Sequence, residues 1–243
     1  TTPLVAIAMH DVCNAVMLEH GLEGVFELVI GPGSSIGEAI INDRRIPLIS
    51  ATGSCRMGRR IGAAVAERLA NSLLELGGNN AIIADETCDK DLLLPAVVFG
   101  AVGTTGQRCT STRRLFLHKS IAEEVTQRLV KAYSGIMEHV GDPLDEDTLM
   151  GPMVTTGGID DMMNALKAVK EQGGEIIFGG NKIADKAGYF VEPTLVKATH
   201  DMAIVQDETF APILYIFEYE NLDDVIDLHN GVDQGLSSAI FTN

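Results

Sequence analysis

Ile46-Pro47-Leu48-Ile49-Ser50-Ala51-Thr52-Gly53-Ser54-Cys55-Arg56-Met57 begins a stretch that runs on to Leu73-Leu74-Glu75-Leu76-Gly77-Gly78. It reads as one β-α-β unit. Ile46 to Ser50 has the short apolar look of a strand, and Thr52-Gly53-Ser54 is a turn. A helix follows from about Met57 to Leu69, because Met57, Ile61, Val65 and Leu69 recur at helical spacing and leave Arg59, Arg60 and Arg68 off that face. Leu73 to Leu76 is the returning strand, closed by Gly77-Gly78. A strand, a helix and a strand in this order predict an α/β protein with a parallel, doubly wound sheet.

The same alternation extends outward. Leu4 to His20 is predicted as an amphipathic helix stopped by Gly21, Val25 to Ile30 as a strand, and Ile36 to Asn42 as a short helix. After Gly77-Gly78 a second block begins with the strand Ala81 to Ala84. An apolar helix, Leu92 to Phe99, tolerates Pro95 in its first turn. Arg113 to His118 is a strand with charge at its entry. Helices are expected at Ser120 to Met137, Ile159 to Glu171 and Leu222 to Asn230. Strands are expected at Glu175 to Gly180, Phe190 to Leu195, Ile213 to Phe217 and Ser238 to Phe241.

Composition bounds the function. A chain of 243 residues that is 46% hydrophobic can bury a large core in one or two domains. A formal charge of -16 argues against a nucleic-acid backbone or an anionic membrane surface as the main partner. Cys13, Cys55, Cys88 and Cys109 are scattered without zinc or disulfide spacing, which points to a reducing compartment, and no metal is expected. No apolar run approaches the ~20 residues of a membrane span. The chain opens on Thr1-Thr2-Pro3 and ends inside a predicted strand, so a segment of a longer subunit is expected.

Four stretches could carry chemistry. Gly103-Thr104-Thr105-Gly106-Gln107-Arg108-Cys109-Thr110 ends a helix with two glycines and presents one cysteine beside Arg108. A nucleophilic thiolate needs such a half-open, electropositive setting, although a free cysteine can equally be a small buried hydrophobe. Gly53-Ser54-Cys55-Arg56-Met57-Gly58 spans a strand-to-helix turn, suited to a phosphate or to a plain helix cap. It is neither a Rossmann fingerprint nor a P-loop. Glu75, inside an apolar strand, is either a paired buried group or a base with a pKa raised by desolvation. Asp207-Glu208-Thr209-Phe210-Ala211-Pro212 is a polar-aromatic turn before a strand, or an ordinary surface turn. The six histidines show no triad or metal spacing, and a Cys-His hydrolase has no distinctive support.

Taken together these stretches resemble the aldehyde dehydrogenase superfamily. Leu74-Glu75-Leu76-Gly77-Gly78-Asn79-Asn80, Gly106-Gln107-Arg108-Cys109-Thr110 and Glu208-Thr209-Phe210-Ala211-Pro212 stand in that family's order. Asn79-Asn80, Thr110 through Phe116, and His229-Asn230 followed by Gln234 to Ser238 are similar to its antiquitin branch, which contains the α-aminoadipic semialdehyde dehydrogenases. The resemblance implies that residues 1–77 are the second part of a Rossmann-type NAD-binding domain, and 78–243 a catalytic domain incomplete at its C-terminus. It implies Cys109 as nucleophile and Glu75 as general base. Gly53, Ser54 and Gly58 would line the pyrophosphate site and Leu76 would approach the nicotinamide. Glu208 would bind the nicotinamide ribose with Phe210 nearby, and Arg108 would face the substrate carboxylate.

The implied activity is oxidation of a carboxylate-bearing semialdehyde with NAD, or NADP, through a thiohemiacetal and a thioester. Cys109 and Glu75 are then expected to open into one crevice. The implied subunit is a cytoplasmic homo-oligomer, dimer or tetramer, or a mitochondrial-matrix one in a eukaryote; the segment alone is expected to turn over little. A CoA-acylating relative and a non-catalytic binding protein of the same fold are the rival readings. Two departures from the pattern are Ala51, where the family usually has an aromatic residue, and Cys55, where threonine is common.

Overall fold

In the computed structural model, which describes residues 2–243, the chain divides between Leu76 and Gly77 into two units. The first starts with α1 (Pro3–Glu19), whose proline sits at the start, where a missing N–H costs nothing, and Gly21 follows at φ +70°. No residue of α1 is buried, so the predicted apolar face lies open. A π-helical turn over Gly33–Gly37 leads into α2 (Glu38–Asn42). Then come β1 (Leu48–Thr52), α3 (Cys55–Glu67) and β2 (Asn71–Glu75), with β1 and β2 parallel from Leu48 opposite Asn71 to Thr52 opposite Glu75. This is the expected β-α-β unit. Its core is Ile41, Ile49, Ile61, Ala64 and Val65, with Met57 and Leu74 packed against it.

Two expectations fail in this unit. Leu69 is not a core position: α3 stops at Glu67, and Leu69 takes a left-handed φ of +57° at 95% exposure. The helical period ran past the helix's true end. Val25 to Ile30 forms no strand. The run has the apolar content of one, but β1 and β2 pair with each other, and no described strand pairs with 25–30. Instead the Phe26 carbonyl accepts from His10 Nε2 at 3.2 Å and from Asn14 Nδ2 at 3.4 Å on α1.

The second unit contains β3 (Asn80–Ala84), α4 (Lys90–Val102), β4 (Thr112–His118), α5 (Lys119–Ile136) and α6 (Thr156–Glu171). It continues through β5 (Glu175–Phe178), β6 (Thr194–Lys197), α7 (Ala203–Gln206), β7 (Ile213–Tyr219), α8 (Leu222–Asn230) and β8 (Ser238–Phe241). One sheet orders its strands β5-β6-β7-β4-β3-β8, parallel throughout except for β5. The period of two assigns each strand's side chains to opposite layers. Leu115 and Leu117 of β4, with Ile82 of β3 and Leu214 of β7, meet Leu93 and Val97 of α4 and Val125 and Leu129 of α5. Phe116, Ile83 and Tyr215 face the other way, onto Met162, Leu166 and Val169 of α6 and Val225 of α8. Helices on both faces make it doubly wound, as the alternation predicts.

α4 begins at Lys90, capped by the Asp89 carboxylate, which accepts from Asp91 N at 2.8 Å. Pro95 is therefore inside the helix, not in its first turn, and deprives the Asp91 carbonyl of its helical donor. Phe190 to Leu195 is not a strand as a whole. β6 starts at Thr194, after Pro193, which has no N–H to give a ladder, and Val191 makes only an isolated bridge with Lys182. The charge at the entry of β4 is interior: Arg113 is 2% exposed and Arg114 fully buried. No described helix is long and apolar enough to cross a membrane.

Candidate active site

In the second unit, three of the sequence motifs each lie just before a strand: Gly77-Gly78 before β3, Cys109 before β4, and Glu208 to Ala211 before β7. β7, β4 and β3 are neighbours and parallel, so all three entries fall on one edge of the sheet. The topology alone brings together residues far apart in sequence.

The glycines show how close the approach is. A Cβ on Gly77 would overlap the Glu208 carboxylate, and one on Gly78 would lie 2.5 Å from the Cys109 carbonyl oxygen. The Gly78 amide donates to Glu208 Oε1 at 3.0 Å. Asn80 Nδ2 donates to the carbonyls of Cys109 at 2.7 Å and Ser111 at 2.8 Å, while its Oδ1 accepts from Ser237 N at 3.1 Å. Asn79 Nδ2 donates to Val205 O at 2.8 Å, at the end of α7 and close in sequence to Glu208. In the sequence Asn79, Asn80 and Ser237 are only marks of resemblance; in the structure they are braces.

The thiol sits on a strained loop. Past α4, Thr104, Thr105 and Gly106 take successive left-handed conformations at φ +52°, +56° and +65°. That is easy for glycine and costs a β-branched residue about 1–2 kcal/mol. A Cβ on Gly106 would also strike the Ala211 carbonyl. The loop is fastened by Thr105 Oγ1 to Gly151 O at 2.8 Å, and by the Val154 amide to Gln107 Oε1 at 2.9 Å. Cys109 is half-buried at its end, whereas Cys88 is buried and burial pushes its thiol pKa up. Cys13 and Cys55 are half-buried elsewhere, in the first unit.

Arg108 does not lie free beside the thiol. Its Nη2 donates to the Phe99 carbonyl at 2.9 Å, and its guanidinium stacks 4.7 Å from the Phe99 ring centroid, so it is turned back onto α4. The arginine woven into the motifs is Arg113. It donates to Thr209 O at 2.6 Å and Arg108 O at 3.2 Å, with longer contacts to Gly78 O and Gly106 O at 3.4 Å. It pairs with Glu208 Oε1 at 3.5 Å and lies 5.2 Å from the Phe210 ring centroid. Glu208 and Phe210 are thus tied to the motif edge rather than to an ordinary surface turn. The sequence signal for Arg113 was slight: two adjacent arginines leading into the apolar run Leu115-Phe116-Leu117.

The other predicted residues lie in the first unit. Ser54 caps α3, its Oγ accepting from Met57 N at 3.2 Å. A Cβ on Gly53 would meet the Met57 thioether, and one on Gly58 would overlap the Leu76 methyls. Gly53 thus makes room for the Met57 side chain, and Gly58 lets the helix lie close to the end of β2. Glu75, the last residue of β2, is exposed, and its carboxylate has no hydrogen-bond or ion-pair partner among the described residues. Exposed and without such a partner, it is not the paired buried group that was one of the two readings above. Asn71, Leu73 and Glu75 share the open face of a two-stranded sheet, while Leu74 turns toward the α3 core.

These features describe a doubly wound α/β protein with a thiol on a braced loop at one sheet edge. The aldehyde dehydrogenase family model matches residues 1–243, and the chain belongs to that family. The alpha-aminoadipic semialdehyde dehydrogenase of Bos taurus is 46% identical over 243 residues, covering 100% of this chain and 44% of the relative. Aldehyde dehydrogenase family 7 member A1 of Pisum sativum is 42% identical over 242 residues, covering 100% of this chain and 47% of the relative. The chain thus spans about half the length of the curated relatives it matches. Among solved structures, betaine aldehyde dehydrogenase from Staphylococcus aureus in complex with NAD+ is 30% identical with a TM-score of 0.86, covering 89% of this chain and 43% of the other.

Proposed function

We propose that the protein carrying this sequence oxidises a carboxylate-bearing semialdehyde, of the α-aminoadipic semialdehyde class, to the acid with NAD. The observation that most supports this reading is the meeting, at one sheet edge, of the Cys109 carbonyl, Gly77-Gly78 and the Glu208 carboxylate. The relatives' names supply the substrate class, and the NAD+ complex of the structural neighbour supplies the cofactor.

The residues fit such a cofactor. Residues 1–77 are proposed as the second part of its binding domain and 78–243 as the catalytic domain. The N-terminus of a 13-residue helix, entered through Gly53 and capped by Ser54, suits a pyrophosphate, with Gly58 in its first turns. Leu76 is assigned to the nicotinamide side, Glu208 to the ribose hydroxyls and Phe210 to packing near them. When bound, the dinucleotide supplies a hydride acceptor.

The chain's own steps follow from its side chains. Cys109 as thiolate attacks the aldehyde carbon, and the oxyanion is met by backbone donors such as the Cys109 amide. Loss of hydride from the thiohemiacetal leaves a thioester on Cys109. Glu75 takes a proton from water, whose oxygen attacks the thioester, breaking the C–S bond to release acid and thiolate. Arg108 is assigned to the substrate carboxylate, as a cation held in place by Phe99. Homo-oligomeric assembly and a cytoplasmic or matrix location belong to the same proposal and rest on the family. The test is NADH absorbance on adding α-aminoadipic semialdehyde to the protein and to its Cys109→Ala variant. NADH formation by the first and none by the second is expected; equal rates, or none from the unmodified protein with any aldehyde, would overturn the reading.

A further inference from the structure

Burying a guanidinium among backbone carbonyls is an expensive way to fill space. Removing a cation from water costs several kcal/mol, and apolar side chains of similar size often serve a core as well. Arg113 has only Glu208 as an ion-pair partner within 4.0 Å among the described residues, and the two side chains are 3% and 14% exposed. Burial lowers the pKa of Arg113, with the Glu208 carboxylate first, then Tyr215 and Cys109, acting in the opposite, cation-favouring direction. The planar fork of an arginine can reach several acceptors at fixed angles, which a lysine or an apolar residue cannot.

Those acceptors are not scattered. Nη2 donates to Arg108 O at 3.2 Å, the carbonyl joined to the Cys109 amide, and Nη1 donates to Thr209 O at 2.6 Å, the carbonyl beside Glu208. Nη2 also reaches Glu208 Oε1 at 3.5 Å, which holds the Gly78 amide at 3.0 Å. One side chain therefore fixes the peptide preceding the thiol and the carboxylate that follows it 99 residues later in number (Cys109 to Glu208), both on the second unit's motif edge.

We propose that Arg113 is a positioning residue for the reaction, a single buried fork that sets the Cys109 loop and the Glu208 carboxylate relative to each other. This rests on the functional reading above, because the geometry it sets is that of the proposed nucleophile and the proposed ribose ligand. Without the fork, the Cys109 peptide and Glu208 lose their common anchor together, while Asn80 still holds the Cys109 carbonyl.

The experiment compares the unmodified protein with Arg113→Lys and Arg113→Met, and with Leu129→Ala, a cavity variant in the core between α5 and the sheet that serves as a stability-matched control. Three quantities are read: KM for NAD against kcat, the rate of Cys109 alkylation by iodoacetamide, and amide exchange over residues 106–111 and 207–210. For Arg113→Lys, a rise in KM for NAD of about tenfold, a slower alkylation of Cys109, and faster exchange in both segments are expected. Leu129→Ala is expected to lower the midpoint of unfolding and leave all three unchanged. Arg113→Met is expected to exaggerate the lysine result; if it does not fold, the lysine variant decides. Unaltered KM, alkylation and exchange in Arg113→Lys, or equal changes in Leu129→Ala, would overturn the proposal. If the unmodified protein oxidises no aldehyde, the functional reading fails, while alkylation and exchange still score the role of Arg113.

Discussion

At the scale of single residues, Cys109 and Glu75 divide the proposed work, and their surroundings differ. The thiol is held by a braced loop; the carboxylate ends a strand in the open. A general base contributes about 10²–10⁴ to the step it serves. Glu75→Gln should therefore slow thioester hydrolysis by that order while leaving acyl transfer to Cys109 intact. Stopped-flow NADH absorbance should show a burst of one equivalent followed by a slow steady state; loss of the burst would remove Glu75 from the hydrolytic step. The loop before Cys109 makes a second prediction. Thr104 is exposed and left-handed, with its Oγ1 donating to the Gly103 carbonyl at 2.6 Å. Thr104→Gly should raise stability by about 1 kcal/mol, by relieving the αL cost. Gly106→Ala should lower it by about 3 kcal/mol, since its methyl must enter the Ala211 carbonyl at a φ that disfavours it. Urea midpoints of the two variants moving in the same direction would contradict this account of the loop.

At the scale of elements, what could be read from the sequence was whatever is periodic and local. α8 and β8 fall at the predicted residues, and α3 and β3 nearly so, because capping residues and apolar spacing belong to the segment itself. What could not be read depends on a partner elsewhere. Val25 to Ile30 has strand composition but no neighbour to pair with, and Pro95 sits inside α4 because the Asp89 cap lies further upstream than the apolar run. For the candidate site, the three motifs were each legible as a turn before a strand. Parallel pairing, which places their entries on one edge, is legible only once the strand order is known. The roles of the β4 arginines were out of reach for a similar reason: a charge at a strand's entry says nothing of its burial until the acceptors are located.

Arg114 is the clearest case, and it makes a prediction about pH. Its guanidinium donates to Asn79 O at 2.8 and 3.0 Å, and lies 3.0 Å from His200 Nε2 and 3.3 Å from His229 Nδ1. Burial first and Arg114 second lower the pKa of both histidines, with Asp201 acting the other way on His200. Folded, both stay neutral below the ordinary histidine value of 6.5, where the unfolded chain already takes up protons. Their contribution is fully present above that pH and is lost as pH falls from it toward their depressed folded values. The melting temperature should therefore fall between about pH 7 and pH 5. His200→Gln, whose amide oxygen can still accept from Arg114, should flatten that fall; an unchanged slope in the variant would show that the acid sensitivity arises elsewhere.

At the scale of the whole molecule, the two units have unequal resources. The first encloses a small core around Ile41, Ile49, Ile61, Ala64 and Val65, and among its described residues the one sheet has two strands. The second has six strands and apolar layers on both faces, with Leu115, Leu117, Phe116 and Leu214 fully buried. Two-stranded sheets are marginal on their own, and local opening tracks how much apolar contact a segment would lose. Amides of β1 and β2 should therefore exchange by an opening of lower free energy than amides of β4 and β7, which are expected to exchange only with unfolding of the second unit. Mass-resolved hydrogen exchange at several denaturant concentrations separates the cases. A shallow, early opening confined to residues 48–75 is expected. A single opening energy shared by β1, β2, β4 and β7 would mean that the burial difference does not govern stability. The six arginines of the first unit would then deserve the next substitutions, since Arg60 pairs with Glu38 at 2.6 Å and Arg68 donates to Ile41 O at 2.9 Å.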